Sequence, residues 1–233
     1  MNQFANLLTL SSLACGFISI IFSLEAHFTF ASWAIILSVI FDGLDGQIAR
    51  RNPLPSEFGK ELDSLVDVIS FGIAPALLGY IFIYRHFYFW ASTALFIYLC
   101  CSVIRLAKYN ITPKEKMANY FYGLPTTVSG GILASFILIY RKGKDVSPLP
   151  QFVPVVFLFI VLLLVFLMVS RVRYLNLDGL KQLLGKKAKF TILILAVILI
   201  LAAFLKKAGI SLFSLFLIYL LFSPFMVKRI NSR

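Results

Sequence analysis

Apolar residues run through this chain in long blocks broken by short polar stretches. The blocks cover residues 4–24, 28–50, 60–84, 87–108, 119–140, 151–171, 188–205 and 209–227. Most reach the roughly 20 residues that an α-helix needs to cross a bilayer core. The breaks are brief, so consecutive helices are expected to run antiparallel. Asn52-Pro53-Leu54-Pro55 separates the second block from the third, because proline cannot continue a helix and turns its preceding residue away from the α region. Ser56 or Glu57 is then expected to start the third helix. The pattern predicts an all-α integral membrane protein, a polytopic bundle of about eight transmembrane helices.

Composition narrows this further. The 233 residues are 60% hydrophobic, more than a soluble domain of that length carries. The first 24 residues lack a basic n-region and a small-residue cleavage site, and are expected to stay as a helix. Cys15, Cys100 and Cys101 all fall in apolar blocks, where packing is their expected role. With only His27 and His86, a histidine metal site is not expected. The net charge of +12 does not point to nucleic acid, because the basic residues sit between the spans. With the N-terminus inside and eight crossings, 16 of the 22 basic residues face the cytoplasm. Both termini are therefore expected in the cytoplasm, beside anionic lipid.

The acidic residues are distributed differently. Six of the ten lie between Asp42 and Asp67, within or beside apolar blocks. A carboxylate at a helix centre in a bilayer costs about 2.5–3.5 kcal/mol, less toward the interface. Asp42 and Asp45 share one helix face by their spacing, as do Asp63 and Asp67. A hairpin at the proline break brings the two pairs together at the cytoplasmic rim. That oxygen-rich arrangement suits a hard cation such as Mg²⁺ or Mn²⁺, which also takes substrate phosphates as ligands. Gly46, Ala49 and Gly59 leave room for a ligand beside the acids, and Arg50 offers a planar fork to phosphate.

The run Asp42-x2-Asp45-Gly46-x2-Ala49-Arg50-x8-Gly59-x3-Asp63-x3-Asp67 resembles the signature of the CDP-alcohol phosphotransferase family at all its motif positions. A chance match at a given start is on the order of 10⁻¹⁰ from average residue usage. The resemblance implies that the four aspartates bind one or two divalent ions, which hold a CDP diphosphate. It implies that Asp67 is also the general base for an acceptor hydroxyl, and that CMP leaves. Gly46, Ala49, Arg50 and Gly59 would shape the nucleotide pocket. Asn6 and Thr9 match a family tendency in the first helix, although Ala5 stands where proline is usual. A homodimer and a six-helix core are also implied. Residues 1–174 would form the core, and 175–233 an extension with two further spans.

Further stretches are similar to the family's phosphatidylserine-forming branch. These are Phe58–Leu65, Ser70–Ala76, Arg105–Asn110, Gly123–Thr126 and Met168–Tyr174. Lys108 stands where that branch often has arginine, which keeps the charge but loses the bidentate fork. The implied reaction joins CDP-diacylglycerol and L-serine to give phosphatidylserine and CMP. Arg105 is the candidate for the serine carboxylate, with Asn110 and Tyr122 as further acceptor-site candidates. Alternatives are another acceptor (glycerol 3-phosphate, inositol phosphate or choline) and, from a different class, a cation channel or transporter. The second fits poorly, because the acids gather at one end and no polar residues line the other half of those spans.

Overall fold

The computed structural model describes residues 2–50, 57–84, 86–112, 120–140, 149–176 and 208–231. Helix α1 is Asn2–Leu24 and α2 is Phe28–Arg50. Helix α3 runs Glu57–Ile83, with a π-helical segment, Val68–Ile73, between two α-helical parts. Helix α4 is Tyr88–Ile111, α5 is Thr126–Tyr140, α6 is Phe152–Val169 and α7 is Ala208–Asn231. Strands β1 (Tyr120–Tyr122) and β2 (Arg173–Leu175) pair antiparallel, with Phe121 opposite Tyr174.

All of these helices except α5 are long and apolar enough to cross a membrane. Their outward residues include Phe17, Phe96, Phe159, Phe166 and Phe225, each more than half exposed. A continuous apolar exterior of that kind belongs in lipid, since water tolerates only small apolar patches. The expected polytopic helical bundle is therefore the observed class. The expected span at 188–205 lies outside the described residues.

The fifth span starts later than its hydrophobic pattern predicts. A helix was expected from residue 119, but α5 begins at Thr126. Two local causes account for this. Residues 120–122 pair with β2 instead, and Gly123 adopts φ +75°, a left-handed conformation that ends the strand. Pro125 then opens the helix, where its missing N–H costs nothing. A side chain on Gly123 would also run into the Met168 carbonyl.

Near the acidic end, small polar residues join α1, α2 and α3. The Ser12 and Ser38 hydroxyls lie 2.7 Å apart, and the Ser70 hydroxyl donates to the Ser12 carbonyl at 3.2 Å. A Cβ on Gly16 would stand 2.5 Å from Ser70 Oγ, so glycine there lets α3 approach α1 closely. Close backbone approach with interhelical hydrogen bonds is how helices associate where lipid is as apolar as leucine. Farther along α3, an aromatic cluster fills the core. Phe82 meets Phe157 at 5.3 Å between centroids, and Phe136 meets Phe157 at 5.6 Å.

The π segment follows directly after Asp67. Pro75 has no N–H to offer the carbonyl one turn back, that of Phe71. The buried Tyr98 hydroxyl of α4 donates to that carbonyl at 2.9 Å and lies 3.1 Å from Ser129 Oγ of α5. A backbone acceptor that would be left unmet in the membrane is thereby satisfied. The same contact ties α3, α4 and α5 together one level below the acidic cluster.

Candidate active site

The serine layer fixes the level of the site. One turn from Ser12, Ser38 and Ser70, on the same side, lie Thr9, Asp42 and Asp67. The end of α2 thus meets the first turns of α3, as the proline break predicts. Asp42, Asp63 and Asp67 each present a carboxylate oxygen within 4.8 Å of the other two. The Asp42 and Asp67 carboxyl groups are close enough to share a proton when no cation lies between them. Asp67 is buried, and its Oδ1 has no hydrogen-bond partner among the described residues. Asp45 is buried too, at 4% exposure, and is close enough to Asp42 to act on it electrostatically. Its carboxylate stands outside the group of three.

A divalent cation fits this donor set. Octahedral Mg²⁺ with oxygens at about 2.0–2.1 Å spaces its ligands roughly 3–4 Å apart. Carboxylates already within 4.8 Å need only small rotamer changes to reach that spacing. The buried, unmet oxygen of Asp67 marks a position where a ligand is needed. Three carboxylates this close repel strongly unless a proton or a cation lies among them.

The other candidates for the nucleotide are less fully seen. Gly46 and Gly59 lie beside the acids on α2 and α3, as their spacing predicts. The side chains of Ala49 and Arg50 lie outside the described residues. Asn6 is half-buried in α1. Thr9 is buried, and its hydroxyl donates to the Ala5 carbonyl at 3.1 Å.

A cavity of about 480 Å³ lies between the end of α4, Tyr122 of β1 and the end of α6. Arg105, Lys108 and Arg171 bring positive charge to it, and Tyr109, Tyr122 and Ser170 bring hydroxyls. Arg105 joins the cavity to the carboxylates, because its guanidinium interacts electrostatically with Asp67 and Asp42. That side chain is 91% buried by its 9% exposure, and its Nη1 donates to Thr126 Oγ1 at 3.2 Å. Its Nε is buried with no acceptor among the described residues. The guanidinium also lies 5.7 Å from the Tyr109 ring centre. A buried arginine so held, with a donor still unmet, is arranged for an anionic ligand.

Tyr122 lines this cavity, as its candidacy requires, and is 40% exposed. Asn110 does not line it. Its Nδ2 donates to Ser64 Oγ at 2.8 Å, its backbone carbonyl accepts from Lys60 Nζ at 2.8 Å, and its Oδ1 is buried with no partner among the described residues. Asn110 therefore ties α4 to the carboxylate-bearing turns of α3. Thr126 and Ser170 fall within the branch-like stretches Gly123–Thr126 and Met168–Tyr174, but single hydroxyl residues beside a proline or an arginine carry no spacing signal that assigns them a role.

Carboxylates gathered from two helices, with a buried arginine acting on them, give this membrane-spanning helical bundle a donor set that suits a divalent cation. The chain belongs to the CDP-alcohol phosphatidyltransferase family, whose model matches residues 2–157. It is 34% identical over 178 residues to a CDP-diacylglycerol–serine O-phosphatidyltransferase of Helicobacter pylori (strain ATCC 700392 / 26695), covering 76% of this chain and 74% of that protein. An archaetidylserine synthase of Methanothermobacter thermautotrophicus is 32% identical over 176 residues, 75% of this chain and 70% of that one. A CDP-diacylglycerol–serine O-phosphatidyltransferase of Bacillus subtilis is 29% identical over 141 residues, covering 60% and 78%.

Proposed function

We propose that this protein transfers the phosphatidyl group of CDP-diacylglycerol to the hydroxyl of L-serine, giving phosphatidylserine and CMP. The observation that carries the reading is the juxtaposition of the Asp42–Asp63–Asp67 group with the basic cavity through Arg105. One feature holds a nucleotide diphosphate, and the other holds the carboxylate of the acceptor beside it. Relatives named for serine and archaetidylserine chemistry support serine over the other alcohols.

Asp42, Asp45, Asp63 and Asp67 would hold one or two Mg²⁺ or Mn²⁺ ions. When bound, the cation neutralises charge on the diphosphate and on the leaving CMP. Gly46, Ala49, Gly59 and Arg50 frame the nucleotide, with Asn6 and Thr9 on the α1 side. Arg105 pairs with the serine carboxylate and aims the serine side chain at the carboxylates, with Tyr122 at the cavity wall. Asp67 accepts the serine hydroxyl proton. The serine oxygen then bonds to the lipid-side phosphorus as the bond from that phosphorus to the oxygen of CMP breaks. Both electrons of that bond leave with CMP. Phosphoryl transfer of this kind depends mainly on positioning and charge, which is what these residues supply.

In the same reading the site faces the cytoplasm, where CDP-lipid headgroup and serine meet, and the protein forms a homodimer in the cell membrane. The test is an acceptor panel with purified protein, CDP-diacylglycerol and Mn²⁺. Serine should yield phosphatidylserine and CMP in equal amounts. Equal or greater turnover with glycerol 3-phosphate, inositol phosphate or choline would overturn the serine assignment.

Arg105→Ala separates acceptor binding from nucleotide binding. The KM for serine should rise by about tenfold or more, from loss of a charged hydrogen-bonding partner. The KM for CDP-diacylglycerol should change by less than about twofold. Equal rises in the two constants would count against a carboxylate-specific role.

A further inference from the structure

The last helix lies outside the residues matched by the family model and does not line the cavity, yet it holds β2 and lies close to Arg105. Tyr219 and Ser223 stand one turn apart on α7 and both face β2. The Tyr219 hydroxyl donates to the Leu175 carbonyl at 2.8 Å, and the Leu175 N–H donates to Ser223 Oγ at 2.6 Å. Both polar backbone groups of Leu175 are thus met by one helix. The Tyr219 ring stacks on the buried Tyr174 ring, with centroids 6.2 Å apart and planes 23° apart. Burial pushes the Tyr174 phenol up to about 12, so it stays neutral.

Strand β2 passes this anchorage on to the cavity. It pairs with β1, which carries Tyr122 at the cavity wall. Arg173 lies over both neighbouring rings, 4.8 Å from the centre of Tyr120 and 5.6 Å from that of Tyr122. Gly123 N–H donates to the Val172 carbonyl at 2.8 Å, and Leu124 N–H to the Leu167 carbonyl at 3.0 Å. The segment then enters α5 at Thr126, the residue that accepts from Arg105. Tyr219 also lies close enough to Arg105 for the two to interact electrostatically.

Helix α7 itself is well seated. A Cβ on Gly131 of α5 would run into the Phe216 ring, and one on Gly209 would stand 3.0 Å from the Ile139 nitrogen. The helix is therefore locked against α5 at two levels, and Tyr219 is presented from a rigid support. A two-stranded ribbon is marginal by itself, so such a strap needs an outside anchor to hold one geometry.

We propose that Tyr219 and Ser223 are positioning residues for the acceptor. They clamp the β1–β2 strap from α7, and the strap holds Tyr122 and the Arg105–Thr126 pair in the geometry that binds serine. This rests on the reading of the cavity as the serine site. It gives the last helix a part in the chemistry that the helix does not itself touch.

The test compares Tyr219→Phe, Ser223→Ala and Arg105→Ala with wild type in the full-length protein, using CDP-diacylglycerol, Mn²⁺ and L-serine. Tyr219→Phe keeps the ring stack and removes only the hydroxyl. It should raise the serine KM by about three- to tenfold while kcat at saturating serine falls less than about twofold. The CDP-diacylglycerol KM should not move. Amide hydrogen exchange at 173–176 should quicken, and Ser223→Ala should act in the same direction at Leu175. Unchanged exchange and unchanged serine KM in both variants would overturn the clamp. Faster exchange with an unchanged serine KM would also overturn it, provided that Arg105→Ala raises that constant. A general loss that affects both substrates equally would show a folding role only, and so overturn it. A serine KM unmoved by Arg105→Ala would overturn the underlying cavity reading, whatever the strap does.

Discussion

Asp67→Asn is expected to lower CMP release from CDP-diacylglycerol and serine by about 10²–10⁴-fold, the usual worth of a positioned base. The substitution keeps size and shape, so the turn of α3 that carries it should survive. The amide can still meet Asp42 through a hydrogen bond. It cannot take a proton from a serine hydroxyl. Asp67 suits that task because it is buried, lies within 4.8 Å of Asp42 and Asp63, and keeps an oxygen with no hydrogen-bond partner among the described residues. A carboxylate has two oxygens, so one can face the cation while the other takes the proton. The assay is CMP release by purified variant with a size-exclusion profile matching wild type. Turnover equal to wild type would remove Asp67 from the role of base.

Chelation of divalent metal should abolish transfer altogether, and Mg²⁺ or Mn²⁺ should restore it. The physical reason is repulsion among the three carboxylates. At the 4.8 Å limit of their separation, each charged pair costs about 3.5 kcal/mol at an effective dielectric constant near 20. A divalent cation turns that repulsion into attraction and leaves coordination positions for the diphosphate. Asp63→Asn removes one ligand charge and should raise the Mn²⁺ concentration for half-maximal activity by roughly tenfold or more, as ligand-sphere changes commonly do. Full activity in the presence of excess chelator would overturn the metal requirement.

The sequence carried the acidic site clearly because chemistry and helical spacing coincide there. Asp42 and Asp63 are held on two helix ends by a proline break, and no long-range contact is needed to infer their meeting. The level of the site within the bundle was not legible. It depends on the contacts among Ser12, Ser38 and Ser70, and serines in apolar helices look alike until the helices are in register. The start of α5 departs from the 119–140 block because hydrophobicity alone cannot separate Tyr120–Tyr122 in a strand from the same residues in a helix. The cue was Gly123 with Pro125, a pair that favours a turn before a helix. The candidates at Arg105 and Tyr122 meet at one cavity, whereas Asn110 serves to brace α4 against α3. Nothing in the pattern of the last span assigns Tyr219 a role by itself. Its signal was a tyrosine and a serine one turn apart in an otherwise apolar helix, a costly pair to place in lipid without a partner.

The central claim is that Asp42, Asp63 and Asp67 form one metal centre. Mn²⁺ binding to the purified protein, followed by electron paramagnetic resonance with and without CDP-diacylglycerol, tests it most directly. Wild type should bind one or two Mn²⁺ saturably, and the bound signal should change when CDP-diacylglycerol is added. The Asp42→Asn/Asp63→Asn double variant should lose that binding while remaining folded. Identical Mn²⁺ binding by wild type and the double variant would contradict the account.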